Sequence, residues 1–229
     1  MNVKSILLLS VFSTALVAGP AWADDAGAKM TRKKTGITAP AKRSLMNEKD
    51  WSLEIGGTGL WSDIRTDNTG YTLAGGDLTA AIAVDEVSLD NFCDGIFRGN
   101  TEFLFRGFGY KVIHGIESRF IGSNFGPRYN FVQPGWKVVP FVEGNVGFAF
   151  DDSQGVNLGT NGDRQVGMGQ DFCFQFGIAT GFRYDFTESW FMRCAAIYTH
   201  FSNAGLSEPG RKNRSMDAIG PEVSVGYRF

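Results

Sequence analysis

The chain has 229 residues, of which 30 are glycine and 20 are phenylalanine, and its formal net charge is -2. This length suits a single domain, and the balance of charge argues against a nucleic-acid partner, which would require a basic surface. Aromatic residues make up 14% of the chain, and this composition favours glycine-containing strands with aromatic ends over helices.

The amino terminus has the pattern of a secretory signal peptide over residues 1–23. Lys4 precedes an apolar run at residues 6–17, and the triplet Ala21-Trp22-Ala23 has the small-x-small form of a cleavage site. The run is too short for a membrane-spanning helix, and no later segment reaches about 18 continuous apolar residues. Membrane residence would therefore require a closed β-barrel.

Residues 24–50 are polar, contain the basic triplet Arg32-Lys33-Lys34 and show no apolar periodicity. Such a segment cannot bury enough apolar surface to fold by itself, so we predict a flexible periplasmic leader. A solvated tail and a tether to anionic headgroups are both compatible with this composition. The predicted organisation is a signal peptide at 1–23, this leader, and one barrel domain at 51–229.

From Trp51 onward the chain breaks into segments of strand length that are separated by Gly, Asn, Asp and Pro. In the fifth segment Val142 and Phe148 share one face of a strand, while Glu143 and Asn145 share the other. We assign the apolar face to lipid and predict an all-β fold, an eight-stranded antiparallel transmembrane β-barrel of the outer membrane. The predicted strands are residues 51–61, 77–88, 98–111, 117–131, 136–150, 170–185, 189–203 and 215–229.

The lengths of the connections orient the predicted barrel. Outer-membrane barrels place short turns in the periplasm and long loops outside, which fits the short connection at 186–189 and the long ones at 151–169 and 203–214. Two connections depart from the rule, because 89–97 is long for a periplasmic turn and 112–116 is short for an outer loop. This orientation puts the end of the seventh strand at the outer surface.

The seventh strand carries the candidate chemistry. His200 and Ser202 project from the same face, with Cα atoms about 6.5 to 7 Å apart, a gap that an imidazole can span. A serine within reach of a histidine is the minimum arrangement for acyl transfer. The opposite row contains Arg193, which would cost about 2–4 kcal/mol in lipid. We therefore predict that Arg193 points inward and that Tyr198, His200 and Ser202 face lipid at outer-leaflet depth.

Five strings of residues carry a family resemblance, namely His200-x-Ser202-Asn203-Ala204-Gly205, Gly126-Pro127-Arg128-Tyr129-Asn130-Phe131, Pro140-Phe141-Val142-Glu143, Asp171-Phe172 and Gly226-Tyr227-Arg228-Phe229. With these strings the chain resembles the PagL-type lipid A 3-O-deacylases, also called bacterial acyloxyacyl hydrolases. The resemblance covers the barrel from about residue 98 to the end by motif, and residues 51–97 by pattern. It implies an eight-stranded outer-membrane barrel that cleaves an acyl ester of lipid A without a cofactor or metal.

The resemblance also implies the roles of the residues. Ser202 would be the nucleophile, and His200 would act as general base toward its hydroxyl and then as general acid toward the departing sugar hydroxyl. Asn203 and Gly205 are the candidate oxyanion hole, because Gly205 allows a turn that directs N–H groups at a tetrahedral intermediate. A plain turn is the alternative for this segment.

The third member of the triad departs from the family pattern. The family places an acidic residue early in the last strand, after a Pro-containing loop, but ungapped counting from Pro209 arrives at Arg214, which cannot orient a histidine. Asp217 shares the outward parity of Tyr227 and lies beside the seventh strand, so we predict Asp217 in this role. Asn213 has the same parity without a charge and is the alternative.

The resemblance implies lipid A within lipopolysaccharide as the substrate, met among outer-membrane lipids, with a 3-O-linked acyl chain as the expected ester. The sequence leaves the oligomeric state open, with a homodimer among the options. Two other functions are compatible with a barrel of this kind. One is a non-catalytic adhesin or structural barrel, and the other is an outer-membrane phospholipase, which resembles the chain less because its larger barrel needs more strands.

Overall fold

The structure is a computed structural model that describes residues 51–62, 70–89, 92–153, 167–206 and 215–229. The predicted signal peptide and leader, and the alternative triad member Asn213, lie outside these residues. No helix within the described ranges is long and apolar enough to cross a membrane.

Eight antiparallel strands pair in chain order and close into a barrel, because the last strand also pairs with the first. The predicted fold class is therefore confirmed. The strands are β1 (Trp51–Trp61), β2 (Thr72–Ala83), β3 (Gly99–His114), β4 (Arg119–Phe131), β5 (Val138–Phe150), β6 (Phe172–Asp185), β7 (Trp190–Ser202) and β8 (Met216–Arg228).

The predicted bounds of the second strand were wrong. The structure places β2 at Thr72–Ala83, whereas the sequence pattern indicated 77–88. Gly75 and Gly76 looked like a break, but they lie inside the strand, where a Cβ on Gly75 would come within 2.0 Å of the Gly109 carbonyl oxygen. Glycine thus permits a close approach of two backbones here and does not end the strand. The connection that follows β2 consequently runs from residue 84 to residue 98.

The two faces of the sheet differ as the alternation predicts. On β5, Val142 and Phe148 are exposed on the outside of the barrel, while Glu143 and Asn145 are buried inside. An apolar exterior around a polar interior is the arrangement that a lipid-spanning barrel requires.

Charged side chains fill the interior. Arg128 Nη1 donates to Glu54 Oε1 at 2.7 Å, and Arg193 Nη2 donates to Glu222 Oε1 at 3.0 Å. Arg193 also donates to Glu54, and its guanidinium carbon lies 4.7 Å from the ring centre of Phe141. Arg193 is 1% exposed, so the prediction that it points inward is confirmed. Ion pairs therefore occupy the space that an eight-stranded barrel leaves for side chains.

Candidate active site

His200 and Ser202 lie at the outer end of β7, on its outward face. Both are half-buried, whereas the flanking residues Thr199 and Phe201 are buried. Strand β6 provides one side of the site, because its outward residue Phe176 pairs with His200. The seventh strand thus presents an imidazole and a hydroxyl beside apolar side chains, as the parity of Arg193 predicts.

Asp217 lies directly across from His200 on the neighbouring strand β8. Its Oδ1 is 2.8 Å from His200 Nδ1, which is a hydrogen-bond distance. The Asp217 side chain is 3% exposed, against 31% for His200. The carboxylate is therefore more deeply buried than the imidazole whose Nδ1 it contacts.

Tyr198 contributes a contact that sequence reasoning missed. Its hydroxyl donates to the same oxygen, Asp217 Oδ1. Tyr198 was predicted to face lipid with His200, but no role followed from that placement. The available signal was its position two residues before His200, which puts it diagonally across from Asp217 on the same face.

The turn after β7 gives the two predicted oxyanion donors other partners. The Gly205 N–H donates to Asn203 Oδ1 at 2.9 Å, and Asn203 Nδ2 donates to the Met168 carbonyl oxygen at 2.6 Å. The N–H directed at Ser202 Oγ, at 3.2 Å, belongs to Ala204. Ala204 and Gly205 have φ angles of 55° and 79°. These left-handed conformations bend the chain back over the end of the strand.

A buried carboxylate holds the segment that contacts Asn203. Glu117 Oε1 accepts from the Met168 N–H at 2.7 Å and from Ser153 Oγ at 2.7 Å, while its Oε2 accepts from the Tyr71 hydroxyl at 2.5 Å. Burial, together with the Glu117 charge, raises the pKa of the Tyr71 phenol above its usual range. The phenol is therefore a permanent donor, and a chain of hydrogen bonds connects it to the turn beside Ser202.

Asp151 lies next to this network, directly after β5. Its Oδ1 accepts from the Ser153 N–H at 2.8 Å, and the residue is buried. Burial raises the pKa of the Asp151 carboxyl to about 7, because a charge is costly without water. The described residues contain no group of three or more His, Cys, Asp or Glu side chains that would hold a metal ion.

The sequence identifies the family to which this barrel belongs. The sequence profile of the lipid A 3-O-deacylase family, PagL, matches residues 34–228. The chain belongs to this family. Among solved structures, the outer membrane enzyme PagL is 16% identical with a TM-score of 0.48, covering 78% of this chain and 99% of that one. Neisserial surface protein A is 11% identical with a TM-score of 0.52, covering 79% and 97%.

A third solved structure, the N-terminal β-barrel domain of Pseudomonas aeruginosa OprF, is 18% identical with a TM-score of 0.41, covering 78% and 97%. Comparison with curated proteins gave no significant match. The likeness to Neisserial surface protein A shows the barrel fold alone. Family membership shows more, since it makes this protein an outer-membrane enzyme of the carboxylic ester hydrolase class. The predicted family, enzyme class and location are therefore confirmed.

Proposed function

We propose that this protein hydrolyses a fatty acyl ester of lipid A, the 3-O-linked one, with a Ser-His-Asp triad on the lipid-facing wall of the barrel. The observation that carries the proposal is the 2.8 Å contact between His200 Nδ1 and Asp217 Oδ1, two residues from Ser202 on the same outward face. The family acts on lipid A, which supports that substrate.

Each residue has a defined task in this reaction. Asp217 accepts the Nδ1–H of His200, so Nε2 is left as the base that removes the proton of Ser202. The Ser202 oxygen attacks the ester carbonyl, and His200 then returns the proton to the departing sugar hydroxyl. Water, activated by the same imidazole, releases the fatty acid from the acyl-enzyme. Asp217 stabilises the imidazolium that forms at each proton transfer.

The turn at residues 203–205 would stabilise the tetrahedral intermediate. Asn203 and Gly205 were predicted as its donors. The Ala204 N–H, which donates to Ser202 Oγ, would be a third donor once it turns to the oxyanion of the substrate. For the Gly205 N–H to reach the substrate it must exchange its bond to Asn203 Oδ1. Such a donor contributes about 2.7–4 kcal/mol to the transition state.

The location of the site suits a substrate that stays in the membrane. The acyl esters of lipid A lie just below the headgroups of the outer leaflet. In the orientation that the loop lengths predict, the triad lies at this depth, on the outward faces of β7 and β8. A lipid can therefore reach Ser202 by lateral diffusion. Extraction into water would cost about 0.8 kcal/mol for each exposed CH2 group.

The third member of the triad has one alternative to Asp217. Asn213, outside the described residues, would hold the histidine without a charge, whereas Asp217 brings a full negative charge to the imidazolium. We favour Asp217 because a buried carboxylate in contact with Nδ1 is the arrangement that fixes the tautomer and orientation of a catalytic histidine.

Mass spectrometry of lipid A tests the proposal. Purified folded protein should remove one hydroxyacyl mass from lipid A, and Ser202→Ala protein of equal folded fraction should leave it intact. Hydrolysis of phospholipid with intact lipid A would favour the phospholipase instead. An unchanged spectrum with both substrates would favour the non-catalytic barrel. Loss of a chain other than the 3-O-linked one would overturn the proposed position.

A further inference from the structure

The phenol of Tyr198 shares the acceptor oxygen of the proposed triad. Its hydroxyl donates to Asp217 Oδ1, the atom that lies 2.8 Å from His200 Nδ1. One oxygen therefore serves two donors. A hydrogen bond to a carboxylate is stronger than one between neutral groups, so this contact restrains Asp217 in addition to the contact with His200.

The pairing of β7 with β8 explains the contact. Tyr198 pairs with Ile219, and His200 pairs with Asp217, so Asp217 is the diagonal neighbour of Tyr198 on the outward face. Diagonal Cα atoms lie about 7–8 Å apart, within reach of a long aromatic side chain. The phenol of Tyr198 spans this diagonal and ends at the carboxylate of Asp217.

The outward surroundings of His200 and Asp217 are largely apolar. Next to the site, β6 presents Phe174, Phe176 and Ile178 opposite Ser202, His200 and Tyr198. On β8 the next outward residue is Ile219. A carboxylate beside such side chains is costly unless hydrogen-bond donors reach it, and the Tyr198 hydroxyl is one such donor.

We propose that Tyr198 is a positioning residue for ester hydrolysis, acting through Asp217. It fixes Oδ1 toward His200, and in this way it holds the imidazole in the orientation that the reaction requires. The inference rests on the proposed Ser-His-Asp function and adds to it a fourth group that orients the carboxylate.

Removing the hydroxyl would free the carboxylate. Asp217 would rotate more freely, so fewer molecules would hold His200 in the productive orientation and kcat would fall. Tyr198→Phe separates this effect from a loss of packing, because the ring remains.

The experiment compares kcat and KM for wild-type, Tyr198→Phe and Tyr184→Phe protein on lipid A in detergent micelles. Tyr184 also faces outward, on β6, and is 39% exposed, so its variant removes a hydroxyl far from the site. In Tyr198→Phe we expect kcat to fall about tenfold. KM should stay constant, and Tyr184→Phe should behave as wild type.

A double-mutant cycle with Asp217→Asn completes the test. If Tyr198 acts through Asp217, adding Tyr198→Phe to Asp217→Asn should change kcat by less than about twofold. A wild-type kcat in Tyr198→Phe, or a tenfold loss that persists beside Asp217→Asn, would overturn the inference and leave the triad intact. Full activity of Ser202→Ala would instead overturn the proposed function, and this inference with it.

Discussion

The interior of the barrel and its lipid-facing wall both pair carboxylates with nitrogen bases, but they do so in different ways. Inside, Arg193 contacts both Glu54 and Glu222, and Arg106 Nη2 lies 3.0 Å from Glu143. Several partners surround each charge, so the network is held rigidly. Outside, the Asp217 carboxylate lies in contact with the His200 imidazole, whose protonation the proposed reaction changes, and accepts from the Tyr198 phenol.

Strand β7 connects these two regions, because Arg193 is on its inner face and His200 on its outer face. Redundant ion pairs suit support, since no single proton transfer changes them. A base with one carboxylate partner suits catalysis, since its protonation state can change during the reaction. The two faces of one strand therefore divide stability from chemistry, and substitutions on each face should affect one property only.

The largest effect is expected for Ser202→Ala. Removal of the nucleophile should lower the rate of lipid A deacylation by about 10⁴- to 10⁶-fold, because the remaining groups cannot form the acyl-enzyme. The heat-modifiable band on gels should keep its wild-type intensity, since the hydroxyl lies on the outward face of the barrel. Retained activity would move the nucleophile elsewhere, and Ser215 would be the next serine to replace.

The next effect concerns the acid. Asp217→Asn should lower kcat by about 10²- to 10⁴-fold, because the imidazolium loses its counter-charge and the preferred tautomer. The comparison with Asn213→Ala sharpens the assignment. A near-wild-type rate in Asp217→Asn beside a slow Asn213→Ala would give the role to Asn213 and make this a Ser-His-Asn enzyme.

The interior should respond in the opposite way. Arg193→Met leaves Glu222 and one oxygen of Glu54 without this partner, and loss of one member of a buried pair costs about 3–5 kcal/mol of unfolding free energy. Urea titration of the folded band measures this loss. The molecules that remain folded should deacylate lipid A within about twofold of the wild-type rate. A strong loss of kcat without a loss of stability would break the division between the two faces.

The smallest effect concerns pH and the network beside the site. The pKa of Asp151 is raised to about 7 from an ordinary value of 3.8, so the folded state binds a proton that the unfolded state releases. This contribution to stability is complete below pH 3.8 and is lost as the pH rises through 7. Urea midpoints of wild-type protein relative to Asp151→Asn should therefore fall between pH 4 and 8. A constant difference across this range would contradict the assignment.

The alternation of residues predicted much of the barrel because parity is a local property of a strand. Arg193 alone decided which row of β7 faces inward, and this placed His200 and Ser202 on the outward face. Parity with Tyr227 placed Asp217 on the outward face of β8. The second strand was shifted because Gly75 and Gly76 have the composition of a turn, and their role depends on the approach of β3 to Gly75 and of β1 to Gly76. These approaches are properties of paired strands, which one segment cannot encode.

The contacts of the site were less accessible from the sequence for the same reason. The bond from Tyr198 to Asp217 requires the register between β7 and β8, and the register depends on the length of the connection between them. The bond from Asn203 to Met168 joins segments 35 residues apart. Parity could identify the face on which these side chains lie, but not the partners that their donors would reach.

The placement of Asp217 on β8 has a consequence for when the enzyme becomes active. Strand β8 pairs with β7 on one side and β1 on the other, so it is the strand that seals the barrel. Until β8 has paired with β7, Asp217 is not held beside His200, and the imidazole lacks a fixed counter-charge. We expect deacylation during refolding to rise together with the heat-modifiable band and no earlier. The esterase would then stay inactive toward the lipids that it meets before it has folded in the outer membrane.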